Sequence, residues 1–435
     1  MSVAPSSEIP GPRIPRVLQT WLGVARPVEA RLAMRRRYGP IFRTRDAIAG
    51  PMIHVADRAL IEQMFKWKPA QYRVAEPRRI MEPVTGPESI LLLDGSRHMR
   101  MRKLMLPPFH GEAIARFADL IAQVTEREID GWRAGQTIRT RAVAQTITLE
   151  VIIRAVFGVT DPGRIEELKR LLPGLSSANP FLLLMQKDLG PRSPWGRFLA
   201  RRDRVDVMLY EEIERQRREP GRDGRDDMLT LLLSVHDEDG NPLTDRELRD
   251  ELITLLLAGH ETTATSIGWA FERLLRTPHA LARLTEEADR GEPGEYMEAV
   301  IKETLRVRPV ITEVFRAPAE RTELGGYVIE PGTQLAASIS LVQWDPELYP
   351  PDPHEFRPER FLDGAPEPYT WIPFGGGVRR CLGAAFAQLE MQVVIAAILR
   401  RARLRAPRAR NESARFRGVT LLPSRGGEAI VESVS

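Results

Sequence analysis

The chain has 435 residues, of which 43% are hydrophobic and 28% charged, with a formal charge of +4 and one cysteine. That balance excludes a disordered chain and supplies a substantial core, and a lone cysteine excludes an intramolecular disulfide. The cations are mostly arginines interleaved with Asp and Glu, so nucleic-acid binding is not expected. Neither end reads as a signal peptide and no apolar run is long enough to cross a bilayer, so a cytoplasmic enzyme without a transmembrane anchor is expected.

In chain order, the Pro-, Ser- and Gly-rich start predicts an extended arm over residues 1–18, packed on the surface. "YGPIFRTR" and "GPMIHVAD" predict the two strands of a small hairpin. The next two hundred residues are mostly helical: "RHMRMRKLM", "GEAIARFADLIAQVTEREIDGW", "AVAQTITLEVIIRAVFG", "DPGRIEELKRLL" and "RRDRVDVMLYEEIERQRRE" carry apolar residues three and four apart, with breaks at Pro, Gly and Asp. The longest helix opens on a capping box, Thr244 and Glu247, and is stopped by Pro278. At 1.5 Å per residue it spans roughly 45 to 50 Å. Two more helices, the strand-like "LGGYVIE" and "QLAASIS", and a loop-rich segment follow, and "RGVTLLPSRGGEAIVES" predicts a closing hairpin. The pattern is mainly α with small β-sheets, and no internal repeat is visible.

The cysteine lies in "WIPFGGGVRRCLGAAFAQLEM", residues 371–391. A lone cysteine is most often a small buried hydrophobe, but its neighbours here suggest otherwise. Gly375, Gly376 and Gly377 clear space for an object approaching the backbone. Arg379, Arg380 and a helix starting at Leu382 favour thiolate over thiol. A nucleophile calls for a histidine base, whereas glycines beneath Phe374 suit a flat partner. Haem ligated by a thiolate fits, and its chemistry is O–O cleavage.

At this point the chain resembles the cytochrome P450 superfamily, whose haem loop reads F-x-x-G-x-R-x-C-x-G; Phe374, Gly377, Arg379, Cys381 and Gly383 fill every fixed position. The resemblance implies a single-domain fold shaped as a triangular prism, with the long helix lying over the haem. It also implies Cys381 as the iron ligand, with Phe374, Gly375, Arg379 and Gly383 in the haem-binding loop. Because haem contacts come from positions 98 to 381, residues 19–435 read as one catalytic domain.

Three further motifs occur in family order. In "KETLR", Glu303 and Arg306 share a helix face. Alone they would be an ordinary surface pair of little value; the resemblance adds Arg360 of "FRPERF" to make a buried structural triad. In "AGHETT", Gly and Thr are poor helix formers, which asks for a reason. The resemblance supplies a local opening over the iron at Ala258 and Gly259, with Glu261 and Thr262 managing oxygen and protons. The rival H-E-x-x-H zinc reading fails because Ala264 stands where the second histidine belongs, so His260 is packed or solvated. In "RHMRMRKLM", His98 and Arg102 match propionate-binding positions, as do Arg316 and Arg379; charge-assisted bonds to carboxylates suit these types. Arg97, Arg100 and Lys103 are expected to face an acidic redox partner.

The implied activity is a haem-thiolate monooxygenase of the soluble bacterial kind, a monomer that inserts one oxygen atom from O2 into a C–H bond by hydroxylation or epoxidation. Its haem b (iron protoporphyrin IX) receives electrons from NAD(P)H through a separate ferredoxin or flavodoxin and its reductase. Family alignment draws the pocket from segments 81–92, 181–185, 255–258, 310–314 and 419–421, with Ile90, Phe181, Leu255, Ala258, Ile311, Thr312, Val314 and Thr420 as lining residues. These are mainly apolar, favouring a fatty acid, terpenoid or steroid; Thr312 could orient one polar group and Glu313 points to solvent. The wording of "PERF" and "RKLMLPPFHGE" resembles a subgroup acting on fatty acids or terpenoids. A haem-thiolate peroxygenase or isomerase, and a non-catalytic haem sensor, are the alternatives; the acid–threonine pair favours reductive oxygen activation.

Overall fold

The structure, a computed structural model, describes residues 4–47, 50–74, 78–109, 111–176, 186–187, 189–219, 227–291 and 294–435. Its frame is the central helix Asp245–Leu274, 30 residues long and unbroken. The predicted capping box closes its first turn: the Glu247 amide donates to the Thr244 hydroxyl at 3.2 Å, and the Thr244 amide donates to the Glu247 carboxylate at 2.8 Å. Most residues from Leu248 to Leu274 are buried, the exceptions falling between Leu255 and Thr262, which marks a helix largely surrounded by protein.

Helix Thr140–Val151, continued by a π turn over Ile152–Val156, packs closest to it. That approach depends on Gly268, where a Cβ would fall 2.7 Å from Cβ of Arg141. Helices Ala118–Ile129, Glu295–Val307 and Ala384–Arg401 complete the bundle, and one apolar cluster runs through it from Val84 to Val431.

A second cluster lies under a five-stranded sheet ordered Ile41–Asp46, Gly50–Val55, Leu335–Ser338, Glu313–Pro318, Tyr72–Arg73. The predicted first hairpin forms its edge, and Gly50–Val55 runs parallel to Leu335–Ser338. The strand Glu313–Pro318 was not foreseen; its burial runs in blocks rather than alternating, so the period-two signal is absent. Glu313 is a correction. It points not to solvent but into a buried pairing with Arg31 at 3.2 Å and His54 at 2.8 Å. Burial pushes its carboxyl up, but Arg31 and His54 outweigh that and hold it well below the usual carboxylate range.

Two further expectations change. Within the 1–18 arm, Ala4–Pro5 pairs with Tyr327–Val328, but a helix, Arg16–Ala25, starts before residue 18. The closing hairpin does not form as expected: Thr420–Pro423 pairs backwards with Ala414–Arg417, and Glu428–Val434 joins Ala402–Arg405 and Thr137–Arg139. Gly426 and Gly427, both at positive φ, turn the chain between them. Gly427 sits so close to the central helix that a Cβ there would be 2.7 Å from the Gly268 carbonyl. The "SRGG" turn is therefore docked on a helix instead of joining two partner strands.

One core residue has a pH consequence. Glu390 is buried in helix Ala384–Arg401, its Oε1 has no hydrogen-bond partner, and burial pushes its carboxyl up to about 8. The unfolded chain ionises this group near pH 4.5, so the fold is favoured below that value and loses about 1.4 kcal/mol per pH unit until pH reaches about 8. Glu390→Gln should therefore match the parent in urea melts near pH 5 and exceed it by about 3 kcal/mol at pH 7. A stability difference that stays flat with pH would show that the carboxyl is ionised in place.

Candidate functional site

Cys381 stands between a tight turn, Gly377–Arg379, and helix Ala384–Arg401, which starts two residues later than expected. Its amide donates to the Phe374 carbonyl at 3.0 Å, and the Arg380 amide donates to Gly377 at 3.0 Å, closing the loop on itself. Phe374 meets Trp371 edge-on at 6.0 Å, and Trp371 Nε1 donates to the Lys302 carbonyl at 3.0 Å.

The glycines divide their work differently from the expectation. Gly375 and Gly377 have φ of 67° and 64°. A Cβ on Gly376 would lie 2.2 Å from the Phe65 ring, and one on Gly377 2.1 Å from the Phe65 carbonyl oxygen. The object that demands bare backbone at these two positions is therefore Phe65, at the end of helix Arg58–Phe65. Only Gly375 has no atom nearer than Val314 Cγ1 at 3.7 Å.

Cys381 is exposed to open space, yet enough protein surrounds it that burial pushes the thiol up. The Gly383 amide, Arg380 and Arg102 pull it down by less. The expected thiolate stabilisation by local charge is thus incomplete; deprotonation goes with metal binding, which releases the proton. The Arg380 guanidinium is exposed, while its carbonyl accepts from Arg102 Nη1 at 2.8 Å.

On the central helix, Leu255, Ala258, Gly259 and Thr262 are open or half-open while most of the helix is buried. Spaced by three and four, they form one stripe. The expected local opening is absent: the helix is continuous, and the Thr262 hydroxyl donates to the Ala258 carbonyl. Glu261 is held on both oxygens, by Arg141 Nη2 and by Gln145 Nε2 at 2.8 Å. Arg141 is itself fixed by Nε donating to Thr265 at 3.2 Å. Sequence reasoning missed both holders because they lie a hundred and more residues upstream. His260 is packed against the Thr148 hydroxyl at 2.9 Å, and burial pushes its imidazole down to about 4, so it is neutral at pH 7.

His98 and Arg102 on helix Gly95–Met105, Arg316 on its strand and Arg379 in the cysteine loop converge, joined by Arg78. Burial, followed by Arg379, Arg102, Arg316 and Arg78, pushes the His98 imidazole down to about 3. Burial and the other arginines also push Arg78 and Arg316 down to about 10. Asp94 answers this cluster at 2.7 Å from Arg379, while the Nε atoms of Arg316 and Arg379 lack partners. Four guanidiniums facing one carboxylate leave room for a dianion, since desolvated cations need counter-charge. A planar iron macrocycle with two carboxylates, ligated by Cys381, fits this donor set. Arg78 had no helical or strand period to flag it in "EPRRIMEP".

The structural triad assembles. Arg306 clasps Glu303 with two bonds of 2.6 and 2.7 Å, and Arg360 Nε stands 3.5 Å from the same carboxylate. Of the predicted pocket, Leu255, Ile311 and Val314 are half-buried, Ala258 is exposed, and Ile90, Thr312 and Thr420 are buried. The Ile90 amide donates to Glu251 at 2.6 Å, and the Thr420 hydroxyl is spent on the Arg417 carbonyl at 2.9 Å. Val419, placed by the sequence in a lining segment, is 70% exposed at a hairpin tip, and Phe181 with the 181–185 segment lies outside the described residues. Arg97, Arg100 and Lys103 are not a bare positive patch. They pair with Glu88, with Asp237 and Glu247, and with Glu238 respectively.

Comparison with known proteins gives consistent findings. The family model described as Cytochrome P450 matches residues 9–430. A Mycobacterium tuberculosis protein described as putative cytochrome P450 135B1 is 40% identical over 431 residues, covering 98% of this chain and 91% of that one. Another from the same organism, putative cytochrome P450 138, is 38% identical over 91% of this chain and 90% of its own. Among solved structures, a cyanobacterial CYP120A1 with retinoic acid bound superposes with a TM-score of 0.83 at 23% identity, covering all of both chains. That likeness shows the fold: mostly helical, with small sheets, in a single domain.

Proposed function

Because the chain belongs to the cytochrome P450 family, whose members are haem b monooxygenases using O2 and electrons from redox partners, we propose that it hydroxylates or epoxidises an apolar small molecule of the fatty acid, terpenoid or steroid class. The electrons come from a separate ferredoxin system, and residues 19–435 form the catalytic domain. The observation that carries the site assignment is the conjunction of Cys381 with four converging arginines answered by one carboxylate. The apolar character of Leu255, Ala258, Ile311 and Val314 supports the substrate class.

When bound, haem supplies the oxygen activation. Cys381 would hold the iron, while Arg78, His98, Arg102, Arg316 and Arg379 would hold the carboxylates. Along the open stripe, Ala258 and Gly259 keep bulk away, so a flat group and a substrate can lie against the helix. Thr262 has a rotatable hydroxyl whose resting partner is the Ala258 carbonyl; turned outward, it presents a donor to the site. Glu261 is held by Arg141 and Gln145 next to that hydroxyl in sequence, where its carboxylate can pass a proton inward once released. Both residues act on proton delivery, and neither touches the proximal cysteine loop in the contacts seen.

Thr262→Ala should keep haem and fold but lower product formed per NAD(P)H by about tenfold, with hydrogen peroxide taking the difference. Unchanged coupling would remove Thr262 from the mechanism. The proposal as a whole is tested by titrating the haem-loaded protein with fatty acids, terpenoids, steroids and macrolides and reading the spin-state shift of the haem spectrum that binding produces. Turnover with a ferredoxin and its reductase must then give an oxygenated product. A macrolide-only response overturns the substrate class, and turnover with peroxide but not with reduced ferredoxin favours the peroxygenase alternative.

A further inference from the structure

The helix Arg16–Ala25 is mounted inside out. Gln19, a polar residue, is its buried member, with Nε2 donating to the Ile14 carbonyl at 2.8 Å and Oε1 accepting from the Arg45 amide at 2.9 Å. Thr20 likewise accepts from the Ala47 amide at 2.8 Å. The polar face thus grips the first strand of the sheet. Val17, Leu18, Trp21 and Val24 are left outward, at 74, 42, 60 and 62% exposure. A surface helix of a water-soluble domain ordinarily does the reverse, and clustered large apolar side chains in water mark a contact surface.

The surroundings identify the partner. The hairpin Ala414–Arg417 and Thr420–Pro423 packs beside this helix and the next, Pro27–Tyr38, anchored by Arg31 stacked over the Phe416 ring at 5.0 Å. Its tip carries Val419, also exposed. Arg13, Arg16, Arg26, Arg45, Arg415 and Arg417 are exposed on the same elements, and none of them is ion-paired among the described residues. Glu29 is the one exposed acid on residues 13–47 and 414–419 that are described. Elsewhere cations and acids alternate, whereas here the elements that carry the apolar tips expose six unpaired arginines against one acid, Glu29.

We propose that this face is a peripheral docking surface for a bilayer rich in anionic phospholipid. Val17, Leu18, Trp21, Val24 and Val419 enter the acyl boundary, and the arginines meet lipid phosphates. A tryptophan among aliphatic residues with flanking arginines is the composition that lies in a bilayer interface, and each arginine near an anionic surface adds attraction that salt screens. Insertion is shallow, since no helix of the described residues is long and apolar enough to cross a membrane. A second copy is the less favoured occupant, because apposing two such faces would bring their unpaired arginines together.

The test is co-sedimentation of the full-length, haem-loaded protein with vesicles of pure phosphatidylcholine and of equal parts phosphatidylglycerol and phosphatidylcholine. Binding should be at least about tenfold stronger to the mixed vesicles and should fall with added salt. Trp21→Ser combined with Val24→Ser should lose most of that binding while leaving the thermal melt and haem spectrum unchanged, because both side chains are already in water. Absence of binding to mixed vesicles, equal binding to both compositions, or a dimer in light scattering that the double variant dissolves would each overturn the proposal.

Discussion

Cys381→Ala is expected to abolish entirely the shifted Soret band of a ferrous thiolate–carbon monoxide adduct, because the chain has no second cysteine to take its place. The loop itself should survive the change. Its closing bonds run from the Cys381 amide to Phe374 and from the Arg380 amide to Gly377, and neither uses the sulfur. Cys381→His separates ligation from haem retention: the arginine cluster and the loop's closing bonds remain, so haem should still bind but show the band of a neutral ligand in place of a thiolate. A thiolate band persisting in either variant would remove Cys381 as the ligand. In the parent without metal, burial pushes the Cys381 thiol up, so at neutral pH it is thiol and deprotonates on metal binding or at higher pH. Apo protein should therefore react with thiol reagents slowly at pH 7, and faster as pH rises.

What could be read from the sequence was what is local. The capping box at Thr244 and Glu247 needs only four residues and stands as expected, and the ten-residue cysteine motif belongs to the family that the comparisons show, though its glycines and helix start differ from the reading. The periodicity of the outer helices survived because each faces the core with one stripe, whereas the central helix is buried on nearly all sides. What failed depended on distant partners. Gly376 and Gly377 seemed to clear space for a cofactor, and the object they clear space for, Phe65, comes from more than 300 residues upstream in the chain. Arg78, Arg141 and Gln145 sit in no motif and acquire meaning only when the fold brings them to the arginine cluster or to Glu261. Glu313 was read as solvent-facing because no partner for its charge is near in sequence; Arg31 and His54 make it a buried tie between the second helix and the sheet. The inversion of helix Arg16–Ala25 could not be read from periodicity at all, since the same pattern fits either face turned inward.

Glu303→Ala should be among the most destabilising single changes in the protein. Both partners of its pair with Arg306 are fully buried, and stripping one charge from a buried pair costs about 3 to 5 kcal/mol, because the other is left uncompensated. The usual remedy, replacing both partners with apolar residues, should fail here. Arg306 does more than neutralise Glu303: it donates to the carbonyls of Gln343, Pro353 and Glu355 at 2.8, 2.7 and 3.1 Å, and Glu303 also accepts the Arg357 amide at 2.9 Å. A Glu303→Leu, Arg306→Leu double variant would orphan all four backbone groups, each costing about 1 to 3 kcal/mol when buried without a partner. The damage should also reach the cysteine loop, because Gln343 accepts the Ile372 amide at 3.0 Å on its side-chain oxygen while its carbonyl accepts from Arg306. Urea unfolding should place the double variant no higher than Glu303→Ala, and transfer of haem to an apo-globin acceptor should be faster in both than in the parent. Recovery of parental stability in the double variant would mean that the pair is an isolated ion pair. Haem transfer at the parental rate would mean that the triad does not support the cysteine loop.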